Sequence, residues 1–212
     1  MSSSISKITP KKRKSKAKPP KTTTTEPIRD KDQVHDLIDY YLTRGQIRNH
    51  VLIVLGIHTA LRISDILSLC WKDVYDFETN CFKRAISIVE KKTRKSKTLA
   101  LHRNCITALR CHFAHVQPHC LNHPIFQNED TGSAISRIQA YRIIREASEE
   151  IGLEEHVSCH SLRKTFGYHA WKDGISPAVI MEIYNHSSLE VTKRYLGITQ
   201  DDKDEVYLGL AL

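Results

Sequence analysis

A chain of 212 residues with 40% hydrophobic side chains can fill one core, or two small ones, so the protein as a whole is not an intrinsically disordered one. The formal net charge of +8 and pI near 9.2 point to an acidic partner, and all of the excess lies in Met1–Arg29, with nine basic residues and one acidic; the rest balances at 23 against 23. No apolar run is long enough to span a bilayer and none follows the basic start before residue 34, so a membrane protein and a secreted one are not expected, and a cytoplasmic location is.

The tail centred on KKRKSKAKPPKTTTT has almost no apolar residues and is expected to be disordered by itself. Lys12, Arg13 and their neighbours could lie along a phosphate backbone and add salt-dependent affinity without sequence information. A solubilising arm and a nuclear-localisation-like run are the other readings of the same residues. Residues 1–29 are therefore assigned to a basic arm and 30–212 to one folded domain.

Asp30 or Asp32 can cap a helix whose apolar positions Val34, Leu37, Ile38, Tyr41 and Leu42 share one face. After Arg44-Gly45, VLIVLGIHTAL is apolar nearly all round and predicts a central buried helix, whose exit delivers Arg62. A guanidinium among the leucines of ALRISDILSL is costly to bury unpaired, so Asp65 is expected to hold it. RAISIVE and KTLAL alternate as strands of a β-hairpin, with a third short strand expected around Val74–Phe77. The hairpin tip is densely basic, and Lys91, Arg94, Lys95 and Lys97 there are candidate phosphate contacts, or simply a solvated loop.

His102–Val116 predicts a further helix, leading into CHFAHVQPHCLNH, whose His and Cys spacing matches no structural zinc pattern, so no metal is expected there. In Ser136–Ile151 the apolar residues Ile138, Tyr141, Ile144 and Ala147 are expected on one face, with Arg137, Arg142 and Arg145 off it as a groove-facing or solvated surface. Pro177 suits the first position of a helix with a buried stripe of Val179, Ile180, Ile183 and Tyr184. The end, VYLGLAL, is apolar enough to pack on its own core or on a neighbour. The six cysteines show no paired-ligand spacing and are expected to be reduced and mostly buried.

The densest chemistry lies between Cys159 and Gly197, read as CHSLRKTFGYH, NHSS and VTKRYLG. His160 and Arg163, three apart on a helix, can grip one anionic group together. His186 and Tyr195 follow, separated by polar, turn-forming residues. Arginine offers a fork that matches two phosphate oxygens, histidine moves a proton near neutral pH, and tyrosine can be an oxygen nucleophile.

HTALRISDIL, HSLRKTFG and NHSSLEVTKRYLG resemble the signature blocks of the tyrosine recombinases, the phage-integrase family, in order and spacing from about Asp30 to Gly209. The resemblance implies a mainly α catalytic domain with a small antiparallel β-hairpin or three-stranded sheet. It further implies site-specific cutting and rejoining of double-stranded DNA through a 3′-phosphotyrosyl link, in a homotetramer on two DNA sites, with an accessory DNA-bending protein as a possible partner. Arg62, Arg163 and His186 would cradle the phosphate, supported by Asp65. His160 would take the tyrosine proton, and Tyr195 would attack, with Tyr184 the competing tyrosine. Counting back from TLAL, Lys92 best matches the family's mobile acid, with Lys91 and Lys95 as alternatives.

No metal or ATP is implied, and the sequence has no Gly-rich phosphate loop and no carboxylate cluster suited to magnesium. The apolar C-terminal segment would dock on a neighbouring subunit. Asn185 departs from the family's usual glycine before the histidine, and the Arg62 block begins too early for the family's N-terminal clamping domain, so a short, catalytic-domain member is expected. A non-catalytic DNA-binding regulator and a type IB-like topoisomerase remain the alternative functions.

Overall fold

The computed structural model describes residues 25–154 and 156–209. Lys12, Arg13 and most of the basic arm lie outside the described residues. Asp30 caps the first helix, α1 (Lys31–Leu42), its carboxylate accepting from the amides of Asp32 and Gln33. The second, α2 (Ile47–His58), is buried without a break from His50 to Ile57, as a helix apolar on all sides must be. It packs against α1, against α5 (Arg103–Val116) and against α7 (Cys159–Lys172), and so forms the axis of the main core. Gly56 permits the closest approach: a Cβ there would meet Leu162 Cδ1 of α7 at 2.5 Å.

Short helical turns α3 (Ile63–Ile66) and α4 (Trp71–Val74) lead into two separate antiparallel hairpins. The first joins β1 (Tyr75–Asp76) to β2 (Cys81–Phe82), and the second joins β3 (Ala85–Val89) to β4 (Ser96–Ala100), with Ile86 opposite Leu99 and Ile88 opposite Lys97. The expected third strand near Val74–Phe77 thus pairs within its own hairpin and does not extend the larger one.

α6 (Arg137–Glu150) starts with a capping box between Ser136 and Gln139. Its buried stripe is Ala140, Ile143, Ile144 and Ala147, while Ile138 and Tyr141 are exposed. The expected face was therefore rotated, because Ile144 and Ala147 fit both stripes and only the i, i+3, i+4, i+7 set stays on one side of a 3.6-residue helix.

A smaller apolar cluster is built by α8 (Pro177–Tyr184) and α9 (Leu189–Leu196), with Ile180, Tyr184 and Leu196 closing on Ala60. Val179, expected in the buried stripe of α8, is exposed. Residues 25–29, assigned from sequence to the arm, pack on α7: the Ile28 amide donates to Thr165 Oγ1 at 2.9 Å and Lys164 Nζ donates to the Thr25 carbonyl at 2.6 Å. The last helix, α10 (Gln200–Gly209), presents Val206, Tyr207 and Leu208 to solvent.

Of the six cysteines, all free thiols and expected to be mostly buried, only Cys105 is fully buried; Cys81 is exposed at the start of β2 and Cys111 on the polar face of α5. Among the described residues no three His, Cys, Asp or Glu side chains converge on a possible metal position. No helix among them is long and apolar enough to cross a membrane.

Candidate active site

The candidate residues meet at the seam between the two apolar clusters. The chain leaves α2 through Ala60, whose φ of +55° is unusual for a residue with a Cβ and turns its carbonyl toward α7. There Arg163, 2% exposed, donates through Nη1 to the Ala60 carbonyl and through Nη2 to the Tyr184 carbonyl at 3.0 Å. Its guanidinium also lies 4.4 Å from the centre of the Tyr184 ring, and Tyr184 Oη returns a hydrogen bond to the Arg163 carbonyl at 2.6 Å. One buried arginine thereby locks α2, α7 and α8 together, and Tyr184 is spent on that lock.

Arg62 stands at the N-cap of α3, one turn before Asp65. The expected Arg62–Asp65 pair does not form. Arg62 Nη1 lies 2.9 Å from Glu90 Oε2 as an ion pair, off the line of a hydrogen bond, so its donor capacity is unspent. Asp65 Oδ1 accepts instead from the Lys91 amide at 2.9 Å and so fixes the base of the hairpin turn. The difference is one of reach: a guanidinium at the start of α3 points toward the end of β3, while the carboxylate one turn on faces the backbone beyond it.

Arg62 and Arg163 line a cleft of about 440 Å³ together with His160, Lys91, Lys92, Arg137, Cys159, Ile63 and Ser64. Lys92 is exposed at its mouth. Arg94, at a left-handed φ of +59°, and Lys95 sit exposed on the turn outside the cleft. Lys97 is not a surface phosphate contact: its Nζ donates to the Ile183 carbonyl at 2.6 Å, and burial, then the nearby Arg163, push its pKa down to about 8. Arg137, placed by sequence on a groove-facing or solvated surface, joins the cleft at the start of α6, where its position off the apolar face was the available signal.

His186 follows the C-cap of α8 and reaches Thr192 Oγ1 through Nδ1 at 3.0 Å. The Thr192 hydroxyl also lies 3.4 Å from the Ser188 carbonyl, so it can donate there and accept from a protonated Nδ1, an arrangement that leaves Nε2 as the free nitrogen. Burial, then the charges of Arg163 and Arg62, lower the His186 pKa to about 4. His160 is lowered too, by desolvation and by Arg163, Arg137 and other nearby cations. Both imidazoles are neutral at pH 7 until a negative group arrives.

Tyr195, on the last turn of α9, lies with its ring 5.0 Å from those of His186 and Tyr184. Its hydroxyl is buried without a hydrogen-bond partner. Burial raises its pKa and the neighbouring Arg163 opposes that rise. Gly197 ends the helix at φ +68°, and its carbonyl accepts from Arg29 Nη2 at 3.0 Å, which ties the segment 25–29 to the Tyr195 turn. A buried, unsatisfied phenol beside the neutral His186 ring and in the field of Arg163 and Arg62 can donate to, or attack, one tetrahedral anion.

The signature of the phage integrase family matches residues 28–201. The chain is 37% identical over 182 residues to the probable integrase/recombinase YoeC of Bacillus subtilis, covering 86% of this chain and 94% of that one. It is 27% identical over 170 residues to the tyrosine recombinase XerD of Corynebacterium glutamicum, covering 79% of this chain but only 54% of XerD, so it spans about half the length of such relatives. The solved XerA recombinase superposes with a TM-score of 0.71 at 20% identity, covering 88% of this chain and 66% of XerA. The XerH site-specific recombinase bound to its difH substrate superposes with a TM-score of 0.68, also at 20% identity, over 86% of this chain and 52% of XerH. The fold of those recombinases is the fold described above, and with the family signature running through most of its length this chain belongs to the phage integrase family.

Proposed function

We propose that this chain is a site-specific DNA recombinase that cuts and rejoins double-stranded DNA through a 3′-phosphotyrosyl intermediate. The observation that carries the reading is the meeting of Arg62, Arg163, His186 and Tyr195, delivered by four different elements, beside a cleft that also takes in His160 and Lys92. A phosphodiester gathers negative charge on its non-bridging oxygens as it is attacked, so fixed donors stabilise the transition state more than the ground state. Arg62 keeps unspent donors for that charge, and His186 Nε2 becomes a donor once a proton joins it. Arg163, held by two carbonyls, supplies fixed positive charge behind Tyr195.

In this reading Tyr195 Oη attacks phosphorus in line and gives up its proton to His160. The 5′-oxygen leaves with a proton from Lys92, and the phosphotyrosyl bond keeps the energy needed to reseal the strand. Residues 30–212 would be the catalytic domain, with residues 25–29 docked on it and Lys12 and Arg13 in the arm adding sequence-independent affinity. Lys91 would contact the backbone at the cleft, and Arg94 and Lys95 beside it. The exposed Val206, Tyr207 and Leu208 support a subunit contact, and with it the homotetramer on two DNA sites that the resemblance implies, with an accessory DNA-bending protein where the grip is weak.

The test is a trapping assay. Nicked duplexes from the DNA flanking the encoding gene are incubated with the wild-type chain and with Tyr195→Phe, then resolved on denaturing gels. A covalent adduct from the wild type alone is the expected result. Binding without adduct on every duplex, with DNA-bending proteins supplied, would overturn the enzyme reading in favour of a DNA-binding regulator.

A further inference from the structure

We propose that Glu90 is a positioning residue for strand cleavage: its buried Oε2 holds Arg62, the lysine-bearing hairpin turn and the turn before His186 at one point. This rests on the recombinase reading above and adds a residue that neither the sequence motifs nor the mechanism used. Glu90 is wholly buried, at the end of β3. Its Oε2 lies 2.9 Å from Arg62 Nη1, accepts from Thr93 Oγ1 at 2.6 Å and accepts from Asn185 Nδ2 at 3.1 Å. The three partners belong to three separate segments: the start of α3, the turn between β3 and β4, and the C-cap of α8.

A buried carboxylate beside a phosphate cleft repels the charge that the cleft must stabilise, so it is an adverse choice unless it orders its neighbours. Burial disfavours its charge, yet the hydrogen bonds from Thr93 and Asn185 and the charge of Arg62 outweigh that and hold the carboxyl below its usual pKa. Its main chain closes the turn as well, the Glu90 amide donating to the Lys95 carbonyl at 3.0 Å and the Arg94 amide to the Glu90 carbonyl at 2.8 Å. Lys91 and Lys92 lie inside that turn. Their placement relative to Arg62 therefore depends on Glu90 from both sides.

Asn185 gives an independent argument. Its φ of +53° is a left-handed conformation in which glycine carries no strain. Asparagine tolerates it and adds an amide that reaches Glu90, which glycine cannot. The departure from the usual glycine before His186 thus has a physical reason, a tie between the His186 turn and the carboxylate that holds Arg62. Lys97, bonded to the Ile183 carbonyl, is a second tie between the hairpin and α8 that does not pass through Glu90.

The experiment uses the full chain as wild type, Glu90→Gln, Glu90→Ala and Asn185→Gly. Single-turnover adduct formation is measured on the nicked flanking duplexes, and DNA affinity by mobility shift. A second set of duplexes carries sulfur in place of the scissile 5′-oxygen, a leaving group that departs without a proton from Lys92. Adduct formation by the Glu90 variants is expected to fall by about tenfold to a hundredfold with the oxygen substrate while affinity stays within about twofold, as for groups that act only in the transition state. The sulfur substrate is expected to show a loss at least about fivefold smaller, because it bypasses the acid that Glu90 places. Asn185→Gly should move in the same direction with a smaller loss.

Variants that cleave both substrates at wild-type rates, or lose the same factor on both, overturn the positioning role. If the Glu90 variants fail to fold by circular dichroism, Asn185→Gly decides alone by the same two readouts, since its backbone is relieved and not strained. A wild-type chain that forms no adduct overturns the recombinase reading itself; adduct from the wild type with unchanged variants overturns only the role of Glu90.

Discussion

Replacing Gly167 with alanine tests how closely α7, α8 and α9 must approach for Tyr195 to reach its place. A Cβ on Gly167 would lie 2.3 Å from Tyr184 Oη, 3.0 Å from Tyr184 Cε2 and 2.8 Å from Leu196 Cδ2. Tyr184 and Leu196 are both fully buried, and the Tyr184 hydroxyl is held by the Arg163 carbonyl, so neither can swing into solvent to make room. Overpacking of this kind costs about 1–3 kcal/mol. Losing the Tyr184 hydrogen bond would add about 0.5–1.5 kcal/mol. Alanine returns about 1 kcal/mol through its better helix propensity. The net expectation is a loss of about 0.5–3.5 kcal/mol by urea denaturation, or a fall in Tm of roughly 2–4 °C per kcal/mol for a chain of this size. Because Leu196 adjoins Tyr195, adduct formation should fall by about tenfold or more, as small misplacements of a nucleophile do. A Gly167→Ala chain with wild-type stability and a wild-type rate would refute the packing argument outright.

Tyr195→Phe should abolish the adduct yet leave stability within about 0.5 kcal/mol of wild type or raise it, since the hydroxyl it removes is buried without a partner; urea melts and trapping gels check both. His186 has a folded pKa of about 4 against 6.5 for the free side chain, so between those values the unfolded chain binds the proton and the folded one does not. Stability should therefore fall as pH drops from 6.5 to 4, and His186→Asn should flatten that slope in denaturant titrations. Lys97, with a folded pKa of about 8 against 10.5, loses its proton first in the folded chain, so stability should rise from pH 8 to 10.5, a rise that Lys97→Met should lack.

The elements with strong local signals were legible before any coordinate. α1 has an Asp cap and a clean apolar stripe, α2 is apolar all round, and β3 and β4 alternate. The order of the candidate site residues was read from the spacing of the HTALR, HSLR and HSS–Tyr blocks, and folding brings Arg62, Arg163, His186 and Tyr195 near one another. What was not legible depends on contacts between distant segments. Glu90 is one acidic residue at a strand end, and nothing local distinguishes it from a solvated one; only folding brings Arg62 and Asn185 to it. Lys97 carried a weak signal, since it shares strand parity with the half-buried Leu99, but a basic loop masked it. The packing of 25–29 on α7 was hidden for the same reason, a polar, Pro-containing stretch whose partners, Thr165, Lys164 and Gly197, lie at the far end of the chain.

The electrostatics of the site explain why His160 and His186 are neutral and why that suits a phosphate site. Arg62 and Arg163 bring positive charge to the seam, Arg137 and Lys164 add to it around His160, and Glu90 with Asp65 compensate only part of the total. Protonating His186 or His160 in that field adds like charge, so both pKa values drop. A phosphodiester entering beside Arg62 reverses the sign of the local field at both rings. His186 is then favoured as a cation donating through Nε2, and His160 gains affinity for a proton just as Tyr195 must release one. Substrate arrival thus couples to proton uptake, and DNA affinity should strengthen as pH falls below 7, by a factor that His186→Asn reduces. A pH-independent affinity in the wild-type chain would mean that the imidazoles stay neutral with DNA bound, leaving Arg62 and Arg163 as the whole of the phosphate cradle.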